Sequence, residues 1–382
     1  MKQPPGQIPF NRPLIVGREL DYIRQAVEAM HTSGDGPFTQ RVARLLRDAL
    51  GVERAMLTPS CTDALEMAGL LLDLGPGDEF VVPSFAFVST VNAFVLRGAR
   101  PVFADIRPDT LNLDESQLEA TITPLTRLVV PLHYAGVACE MDAITSIANA
   151  HGLSVVEDNA HGLFGSYRGK PLGSFGGLAA LSFHETKNFS CGEGGALLLN
   201  EPGFVERAEF IRDKGTDRQR LFRGQVDKYT WVDVGSSFVL SDLLAAFLYG
   251  QLEQRERVLA ERERIWRGYD GALRGAIERH GVSLPVVPPH CRQGFHMYYL
   301  LLPGLAVRQR LVAHLARRGI ASVFHYTPLH LSRMGRRFGG RPGQCPVTER
   351  ISETLLRLPF HLELTDDDQR RVVQSIFEFF GE

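Results

Sequence analysis

The sequence has 382 residues, of which 44% are hydrophobic and 23% charged, and its formal net charge is −2. At about 100–200 residues per domain this length allows two or three domains, and the apolar content excludes a largely disordered chain. The near-neutral charge argues against a nucleic-acid partner, because neutralising phosphates requires a basic surface. No apolar run approaches the ~18 residues that a membrane span needs.

Five cysteines stand at positions 61, 139, 191, 291 and 345, and none of them forms a CxxC pair. An odd number without paired spacing predicts reduced thiols, and therefore a cytoplasmic protein without a disulfide scaffold or a bound metal. The first residues, Met1–Pro5, are not followed by an apolar segment of the signal-peptide type. We therefore expect no export signal and no membrane association.

The first two-thirds of the chain alternates short apolar runs with helical patterns. An N-terminal arm in residues 1–30 ends in a predicted helix over Glu19–Met30. The predicted strands that follow lie at 55–57, 80–82, 102–104, 128–130 and 154–156. Continuous apolar strands separated by helices are typical of a mostly parallel sheet covered on both faces. The runs at 178–183 and 196–199 lie too close together for a helical crossover, so we expect an antiparallel pair there.

The pattern changes near residue 250, which suggests a domain boundary. Residues 31–250 are assigned to one large α/β domain, and residues 251–382 to a smaller C-terminal α+β domain. The second domain begins with a long charged helix predicted from Leu252 to about Ala276. Its other predicted elements are a strand at 297–302, a helix at 308–318, a strand at 321–324 and a helix at 366–380.

Four polar segments follow predicted strands, which is where α/β sheets bind ligands. The segment Thr58–Asp63 stands between a strand and a helix, so it caps that helix. The free amides of a first helical turn also bind anions. The segment Pro83–Thr90 brings Phe85 and Phe87 to a strand end, where aromatic rings belong either to the core or to a ring-binding platform.

The other two segments carry charged groups. Glu157–Gly162 places Asp158 directly after an apolar strand, either as an ordinary partner of a helix dipole or as a functional carboxylate. Ser182–Asn188 places Lys187 after a buried strand, although lysines usually lie on solvated surfaces. A lysine held in a closed site has a lowered pKa and forms a Schiff base, whereas one in a surface loop has no such role.

Together, the four segments match the needs of one cofactor. A planar phosphorylated ring needs an anion-binding helix end, a stacking aromatic ring, a carboxylate facing the ring nitrogen and a lysine for its aldehyde. Pyridoxal 5'-phosphate (PLP) is that cofactor. In this interpretation Asp158 keeps the ring nitrogen protonated, while Lys187 anchors the cofactor and later moves the substrate proton.

The sequence resembles the sugar aminotransferases of the DegT/DnrJ/EryC1/StrS family over essentially its whole length. The motifs that carry the resemblance are Glu157-Asp158-x-Ala160-His161 and Ser182-Phe183-His184-x-x-Lys187-Asn188, the latter followed by Gly192-Glu193-Gly194-Gly195. The resemblance implies the fold of aspartate aminotransferase (PLP fold type I) and the cofactor PLP. It also implies a homodimer with shared active sites, for which the loop at 212–240 is the candidate crossing element.

The resemblance implies a role for each residue of the cofactor site. Lys187 binds the cofactor aldehyde, Asp158 the pyridine nitrogen and His161 the ring hydroxyl, while Phe87 stacks on the ring. The residues of the phosphate cup are Cys61, Thr62 and Ser182. Two positions depart from the family pattern. Many members have glycine where this chain has Cys61, and Val239 replaces an asparagine that reaches the phosphate of the neighbouring subunit.

The expected substrates are a dTDP-linked keto sugar and L-glutamate. Three stretches resemble most closely a family member that makes dTDP-4-amino-4,6-dideoxy-D-galactose from dTDP-4-keto-6-deoxy-D-glucose, for the enterobacterial common antigen. These stretches are Val88–Ala99, His133–Asp142 and Phe222–Trp231. The resemblance favours His325 and Tyr326 beside the sugar. A basic stretch that includes Arg223 and Lys228 either meets the diphosphate or is a solvated loop.

Other functions share parts of this pattern. An aminotransferase acting at C3 of a keto-sugar nucleotide, or at C4 with a gluco product, needs the same cofactor residues. The family's 3-dehydratases have histidine in place of Lys187, so the lysine argues against that class. A regulatory or scaffold protein has no need to retain Lys187, Asp158 and the phosphate cup together.

Overall fold

The computed structural model describes residues 6–13 and 15–381. The expectation about Met1–Pro5 lies outside these residues. None of the described helices is long and apolar enough to cross a membrane. In the same residues, no group of three or more His, Cys, Asp or Glu side chains could hold a metal ion.

Strands and helices alternate from residue 37 to residue 158, and four strands then follow without a helix between them. The strands are β1 (Arg54–Thr58), β2 (Glu79–Pro83), β3 (Arg100–Ala104), β4 (Thr126–Val129), β5 (Ser154–Asp158), β6 (Ser166–Tyr167), β7 (Lys170–Pro171), β8 (Leu178–Ser182), β9 (Gly195–Leu199), β10 (Cys291–Arg292), β11 (Tyr299–Leu301) and β12 (Leu355–Arg357). The helices are α1 (Glu19–Glu28), α2 (Pro37–Leu50), α3 (Cys61–Leu71), α4 (Ser89–Val95), α5 (Leu118–Thr121), α6 (Met141–Ala150), α7 (Val205–Arg212), α8 (Arg218–Phe222), α9 (Asp242–Glu253), α10 (Arg255–Leu273), α11 (Leu305–Arg317), α12 (Arg333–Arg337), α13 (Pro346–Thr354) and α14 (Asp366–Phe380).

The central sheet has seven strands in the order β1-β9-β8-β5-β4-β2-β3. Within it, β9 runs antiparallel to both of its neighbours, β1 and β8, and the other pairs are parallel. The expected mostly parallel α/β sheet with an antiparallel pair is therefore confirmed. Because β1, β5 and β8 point the same way, Ser60, Asp158 and Ser182 lie at one edge of this sheet.

Alternate residues of the buried strands pack against different helices. In β1, Met56 belongs to a hydrophobic cluster with α3 and α4, whereas Leu57 belongs to a cluster with α2 and α9. In β8, Ala180 and Leu181 divide between the two clusters in the same way. Both faces of these strands are covered, which explains why the strands are apolar throughout and do not alternate.

The C-terminal elements surround a hydrophobic cluster of their own. It joins Trp266 of α10, Tyr298, Leu356 of β12 and Ile376 of α14, and it also includes Ile8 from the N-terminal arm. The two-stranded sheet β11-β12 lies within this part of the chain. The proposed division into residues 1–30, 31–250 and 251–382 stays a prediction.

Two predicted elements of the C-terminal part differ from the structure. The single helix expected from Leu252 to Ala276 is divided at Gln254, whose φ of −94° and ψ of 15° end α9 before α10 begins. The strand expected at 321–324 is absent, and Val323 makes only an isolated bridge to Arg357. A single bridge at the edge of a two-stranded sheet does not build a further strand.

Candidate active site

Lys187 lies in the loop between β8 and β9, at the sheet edge that also carries Asp158. Its side chain is half-buried. Burial lowers the pKa of its amine to about 8, even though the nearby Asp158 carboxylate raises it. An amine with a pKa near 8 is partly unprotonated at neutral pH, which is the form that reacts as a nucleophile or accepts a proton.

Asp158 ends β5 and is only 4% exposed. The hydroxyl of Thr90 donates a hydrogen bond to one carboxylate oxygen at 2.6 Å, and the amide of Ala160 donates to the other at 3.1 Å. No lysine or arginine within the described ranges forms an ion pair with it at 4.0 Å or less. The structure therefore holds a buried carboxylate in place and leaves it available to a cation that enters the site.

The first turn of α3 contains Cys61 and Thr62, for which a phosphate-binding role is predicted. Ser60 is the N-cap of this helix, and its hydroxyl accepts a hydrogen bond from the amide of Asp63 at 3.0 Å. The amides of Cys61 and Thr62 have no partner inside the helix, because they belong to its first turn. Thr62 also donates its hydroxyl to Ser89 at 2.9 Å. Free amides at the positive end of a helix favour an anion such as a phosphate.

Gly195 brings this helix end next to β8. It pairs with Thr58 of β1 on one side and with Ser182 of β8 on the other. A Cβ atom at position 195 would lie 2.4 Å from the amide nitrogen of Cys61. The close approach of the two backbones thus requires glycine, and it places Ser182 beside the first turn of α3.

His161 lies in a group of stacked imidazole rings. Its ring centroid is 4.3 Å from that of His296, and the two planes differ by 15°. Burial lowers the pKa of His161 well below its usual value, so the ring is neutral. Its Nδ1 atom is buried and has no hydrogen-bond partner in the described chain. An orphaned polar atom at this position fits contact with a polar group of a bound ring.

His325 and Tyr326 stack on each other at 3.8 Å between ring centroids. Tyr326 also faces Phe87 at 6.4 Å and Phe85 at 5.5 Å. Phe87 is 56% exposed, whereas Phe85 is fully buried. Phe87 is therefore accessible to a ligand and its stacking role stays a prediction, whereas Phe85 belongs to the core.

The structure does not bring the basic stretch into contact with Lys187. Arg223 donates to both carboxylate oxygens of Glu209, the shorter contact being 2.8 Å, and Lys228 is exposed. Other cations of this stretch, Arg212 and Lys214 among them, line a separate cleft of about 910 Å³. A cavity of about 220 Å³ contains Lys187 itself. The diphosphate role of Arg223 and Lys228 stays a prediction.

Four residues of this region have no role in the sequence-based assignment. Thr90 contacts Asp158, and Tyr134 and Arg357 both contact His325. His296 stacks on His161. Thr90 and Tyr134 lie in the stretches that carry the closer resemblance, so the sequence could have indicated these two residues. Arg357 and His296 lie in the C-terminal third without any motif around them.

Comparison with known proteins assigns the fold and the family. The family model for the DegT/DnrJ/EryC1/StrS aminotransferases matches residues 13–377. The chain belongs to this family. The expected family resemblance is thereby confirmed.

Relatives of this family cover nearly the whole chain. GDP-perosamine synthase of Caulobacter vibrioides is 33% identical over 95% of this chain and 96% of its own. The structure of the aminotransferase TlmJ from Streptoalloteichus hindustanus is 30% identical, with a TM-score of 0.89 over 98% of this chain and 99% of its own. The PLP form of a proposed sugar aminotransferase from Streptococcus pneumoniae is 25% identical, with a TM-score of 0.89 over 98% of both chains.

The expected fold class, enzyme class and cofactor are confirmed by these comparisons: the protein is a PLP-dependent aminotransferase. The residues present fit the cofactor. The first turn of α3 suits its phosphate, Asp158 its ring nitrogen, His161 a polar ring substituent and Lys187 its aldehyde. When bound, PLP supplies an electron sink for the carbon that carries the transferred amino group.

The depressed pKa of Lys187 predicts how cofactor attachment depends on pH. Only the unprotonated amine attacks an aldehyde, so the rate of covalent attachment to the apoenzyme is expected to rise with pH and level off above about 8. An unperturbed lysine would level off only above ~10.4. Stopped-flow absorbance after mixing the apoenzyme with PLP measures this profile, and a midpoint near 10 would contradict it.

Proposed function

We propose that the protein transfers an amino group from L-glutamate to dTDP-4-keto-6-deoxy-D-glucose. The products are dTDP-4-amino-4,6-dideoxy-D-galactose and 2-oxoglutarate, and the enzyme is a dTDP-4-amino-4,6-dideoxygalactose transaminase. The observation that carries the transaminase chemistry is the meeting of Lys187, Asp158 and the first turn of α3 at one sheet edge. Membership of a sugar aminotransferase family supports a keto-sugar acceptor.

The sugar assignment is supported by the three stretches of closer resemblance. Two of them contribute side chains to the candidate site. Thr90, from the stretch Val88–Ala99, contacts Asp158, and Tyr134, from the stretch His133–Asp142, contacts His325. Thr90 and Tyr134 thus come from the parts of the chain that most resemble a C4 aminotransferase. They contact a proposed catalytic group, Asp158, and a residue of the sugar-side loop, His325.

Lys187 has two tasks in the proposed reaction. In the first half it takes a proton from Cα of glutamate, and in the second it returns a proton to C4 of the sugar. The two half-reactions alternate on one cofactor, so the two substrates bind in turn and the kinetics are ping-pong. The face of C4 that Lys187 reaches determines the configuration of the product.

The structure of the product tests the proposal. With dTDP-4-keto-6-deoxy-D-glucose and L-glutamate, NMR of the product is expected to show an axial amine at C4. An equatorial amine at C4 would indicate the gluco product, and an amine at C3 of a related keto sugar would indicate the alternative regiochemistry. Either result would contradict the proposed reaction while leaving the aminotransferase class intact.

The preference of the enzyme for a dTDP-linked sugar is tested with the matching GDP-linked keto sugar. A relative that is 33% identical is named GDP-perosamine synthase, so a GDP sugar is the natural competitor. We expect a higher kcat/KM with the dTDP sugar. Equal or higher kcat/KM with the GDP sugar would overturn the dTDP assignment.

We also propose that the enzyme is a cytoplasmic homodimer whose active sites are shared. Trp231 is 76% exposed and Val234 55% exposed in the loop at 212–240, which is an unusual exposure for apolar side chains. C2 dimers are the commonest closed assembly, and a second subunit would cover such a surface. Light scattering is expected to give twice the mass of one chain, and a fully active monomer would refute the proposal.

A further inference from the structure

The end of β2 holds the loop that carries His325 and Tyr326. Ser84 follows this strand directly, and its hydroxyl oxygen lies 2.6 Å from Nδ1 of His330. The other ring nitrogen, Nε2, lies 3.0 Å from a carboxylate oxygen of Glu349 in α13. Ser84 and His330 are both fully buried. A hydroxyl, an imidazole and a carboxylate thus join the central sheet to two elements of the C-terminal part.

The hydrogen bonds of this group indicate where its protons lie. Although desolvation raises the pKa of Glu349, hydrogen bonds from His330 and from the amide of Gly343 outweigh it and hold that pKa below its usual value. The carboxylate is therefore ionised and only accepts, so the ring proton of His330 is assigned to Nε2. Nδ1 is then left to accept from the hydroxyl of Ser84. All three side chains are satisfied by one another.

Main-chain hydrogen bonds fix the same contact. The amide of Leu329 donates to the carbonyl of Ser84 at 3.0 Å, and the amide of His330 donates to the hydroxyl oxygen of Ser84 at 3.2 Å. Ser84 is itself held in the sheet, because its amide donates to the carbonyl of Ala104 at 2.9 Å. Residues 329 and 330 are therefore anchored to a strand end whose own position is fixed.

The anchor lies close in sequence to Tyr326. Three residues separate Tyr326 from His330, and the ring of one of them, Pro328, restricts φ, here to −55°. On the side of the sheet, Phe85 and Phe87 face the ring of Tyr326 at 5.5 and 6.4 Å between centroids. The position of Tyr326 relative to these two rings therefore depends on the anchor.

The anchor cannot act on a substrate directly. Its order of hydroxyl, imidazole and carboxylate is that of a nucleophilic triad, but a substrate cannot reach the hydroxyl of a fully buried Ser84. Any effect of His330 on the reaction therefore passes through the loop that it holds. This loop approaches the site at His325. Burial lowers the pKa of His325, and the charges of Arg357 and Lys187 lower it further.

We propose that His330 is a positioning residue for the keto sugar, because it fixes His325 and Tyr326 against the end of β2. The inference rests on the proposed function, in which these two side chains lie beside the sugar. In that reaction the amino donor meets Lys187 and Asp158, which the central sheet positions without the anchored loop. Loss of the anchor therefore affects the half-reaction with the sugar and spares the half-reaction with the amino acid.

The test measures the two half-reactions separately in the unmodified enzyme and in His330→Phe, which keeps a ring and removes both side-chain contacts. We expect kcat/KM with the keto-sugar nucleotide to fall on the order of 10²-fold, the effect of a displacement of about 1 Å. The half-reaction with L-glutamate is expected to keep its rate. His330→Asn keeps an acceptor at the position of Nδ1 and is expected to recover part of the loss.

Ser84→Ala is the second variant, because it leaves no buried hydroxyl without an acceptor. It is expected to show the same difference between the half-reactions with a smaller loss, since the carbonyl at position 84 still binds the amide of Leu329. Combined with His330→Phe, it is expected to add no further loss, because both changes remove the same contact. Additive losses would show that Ser84 and His330 act separately and would contradict the inference.

His314→Phe is the matched control for the loss of a histidine hydrogen bond elsewhere. Nε2 of His314 in α11 contacts the carbonyl of Ser375 in α14 at 2.9 Å. The variant is expected to lower the unfolding temperature and to leave both half-reactions unchanged. If it slowed the half-reaction with the sugar as much as His330→Phe, the effect would be one of stability and His330 would have no positioning role.

Calorimetry gives a readout that does not depend on turnover. The nucleotide dTDP-6-deoxy-D-galactose has a hydroxyl at C4 and cannot be transaminated, and dTDP has no sugar at all. In His330→Phe the Kd of the sugar nucleotide is expected to weaken toward that of dTDP, whereas the Kd of dTDP is expected to stay unchanged. Equal weakening for both ligands would place the loop on the nucleotide and overturn the inference.

The remaining outcomes separate this inference from the proposed function. Equal losses in the two half-reactions, or a loss in neither, would show that His330 does not position the sugar. If the unmodified enzyme aminates a different keto sugar, the proposed substrate is wrong, and the same comparison of half-reactions with that sugar decides the role of His330. If it aminates no keto sugar, the proposed function fails and the inference fails with it.

Discussion

The variant Lys187→Ala is expected to lose turnover by at least about 10²–10⁴-fold, the usual contribution of a positioned general base. The change removes the amine that we propose both anchors the cofactor and moves the proton at the substrate carbon. The fold is expected to persist, because burying the Lys187 ammonium is unfavourable, as its lowered pKa shows. Steady-state kinetics and circular dichroism of the loaded variant measure the two effects.

The matched control for this variant is Lys170→Ala, because Lys170 is an exposed lysine on β7. Its activity is expected to equal that of the unmodified enzyme. Borohydride reduction followed by peptide mapping identifies the lysine that carries the cofactor, and the chain has only four others, at positions 2, 170, 214 and 228. A label on any of these four, or near-normal turnover of Lys187→Ala, would show that Lys187 is not the anchor.

The variant Asp158→Asn is expected to fold normally and to lose activity on the order of 10²–10³-fold, as for the removal of one preorganised electrostatic group. An amide carries no negative charge to keep the ring nitrogen protonated, so the cofactor withdraws electrons less effectively. Thr90 can still donate to the amide oxygen at position 158, whereas the main-chain amide of Ala160 would face the NH2 group and lose its acceptor. Single-turnover kinetics with glutamate isolates the affected step.

Asp105→Asn is the matched control, because Asp105 is also a buried carboxylate that follows a strand of the central sheet. It accepts hydrogen bonds from the amides of Val347 and Thr348 at 2.8 Å and is 6% exposed. The variant Asp105→Asn is expected to lower the free energy of unfolding and to leave the rate of the chemical step unchanged. If Asp158→Asn kept near-normal turnover, or if both variants lost activity equally, Asp158 would have no specific electrostatic role.

The strands of the central sheet could be predicted from the sequence because each is a short, continuous apolar run with polar residues after it. The antiparallel placement of β9 followed from the short distance between Ser182 and Gly195. The break at Gln254 could not be predicted, because the helical pattern continues through it without glycine or proline. The two-residue strands β6, β7 and β10 are too short to produce any periodicity.

The meeting of the candidate cofactor residues could be predicted because they stand at or just after strand ends in recognisable motifs. Lys187, Asp158 and Cys61 lie at one sheet edge, because Asp158 ends β5 and the other two follow β8 and β1. Arg357 could not be found in this way. It meets the site only through the contact of β12 with the loop of His325, and nothing in the sequence around it distinguishes it from a surface arginine.

Gly195 limits which positions near the start of α3 can be changed in a redesigned enzyme. Only β9 separates the start of α3 from the end of β8. At Gly195 this strand contributes only main-chain atoms to the space between them. The spacing of the phosphate cup therefore does not depend on which side chain stands at position 61, so cysteine in place of glycine leaves the donors where they are. The side chain at position 61 can therefore be varied without moving these amides, whereas even alanine at 195 would push the helix end away from the sheet.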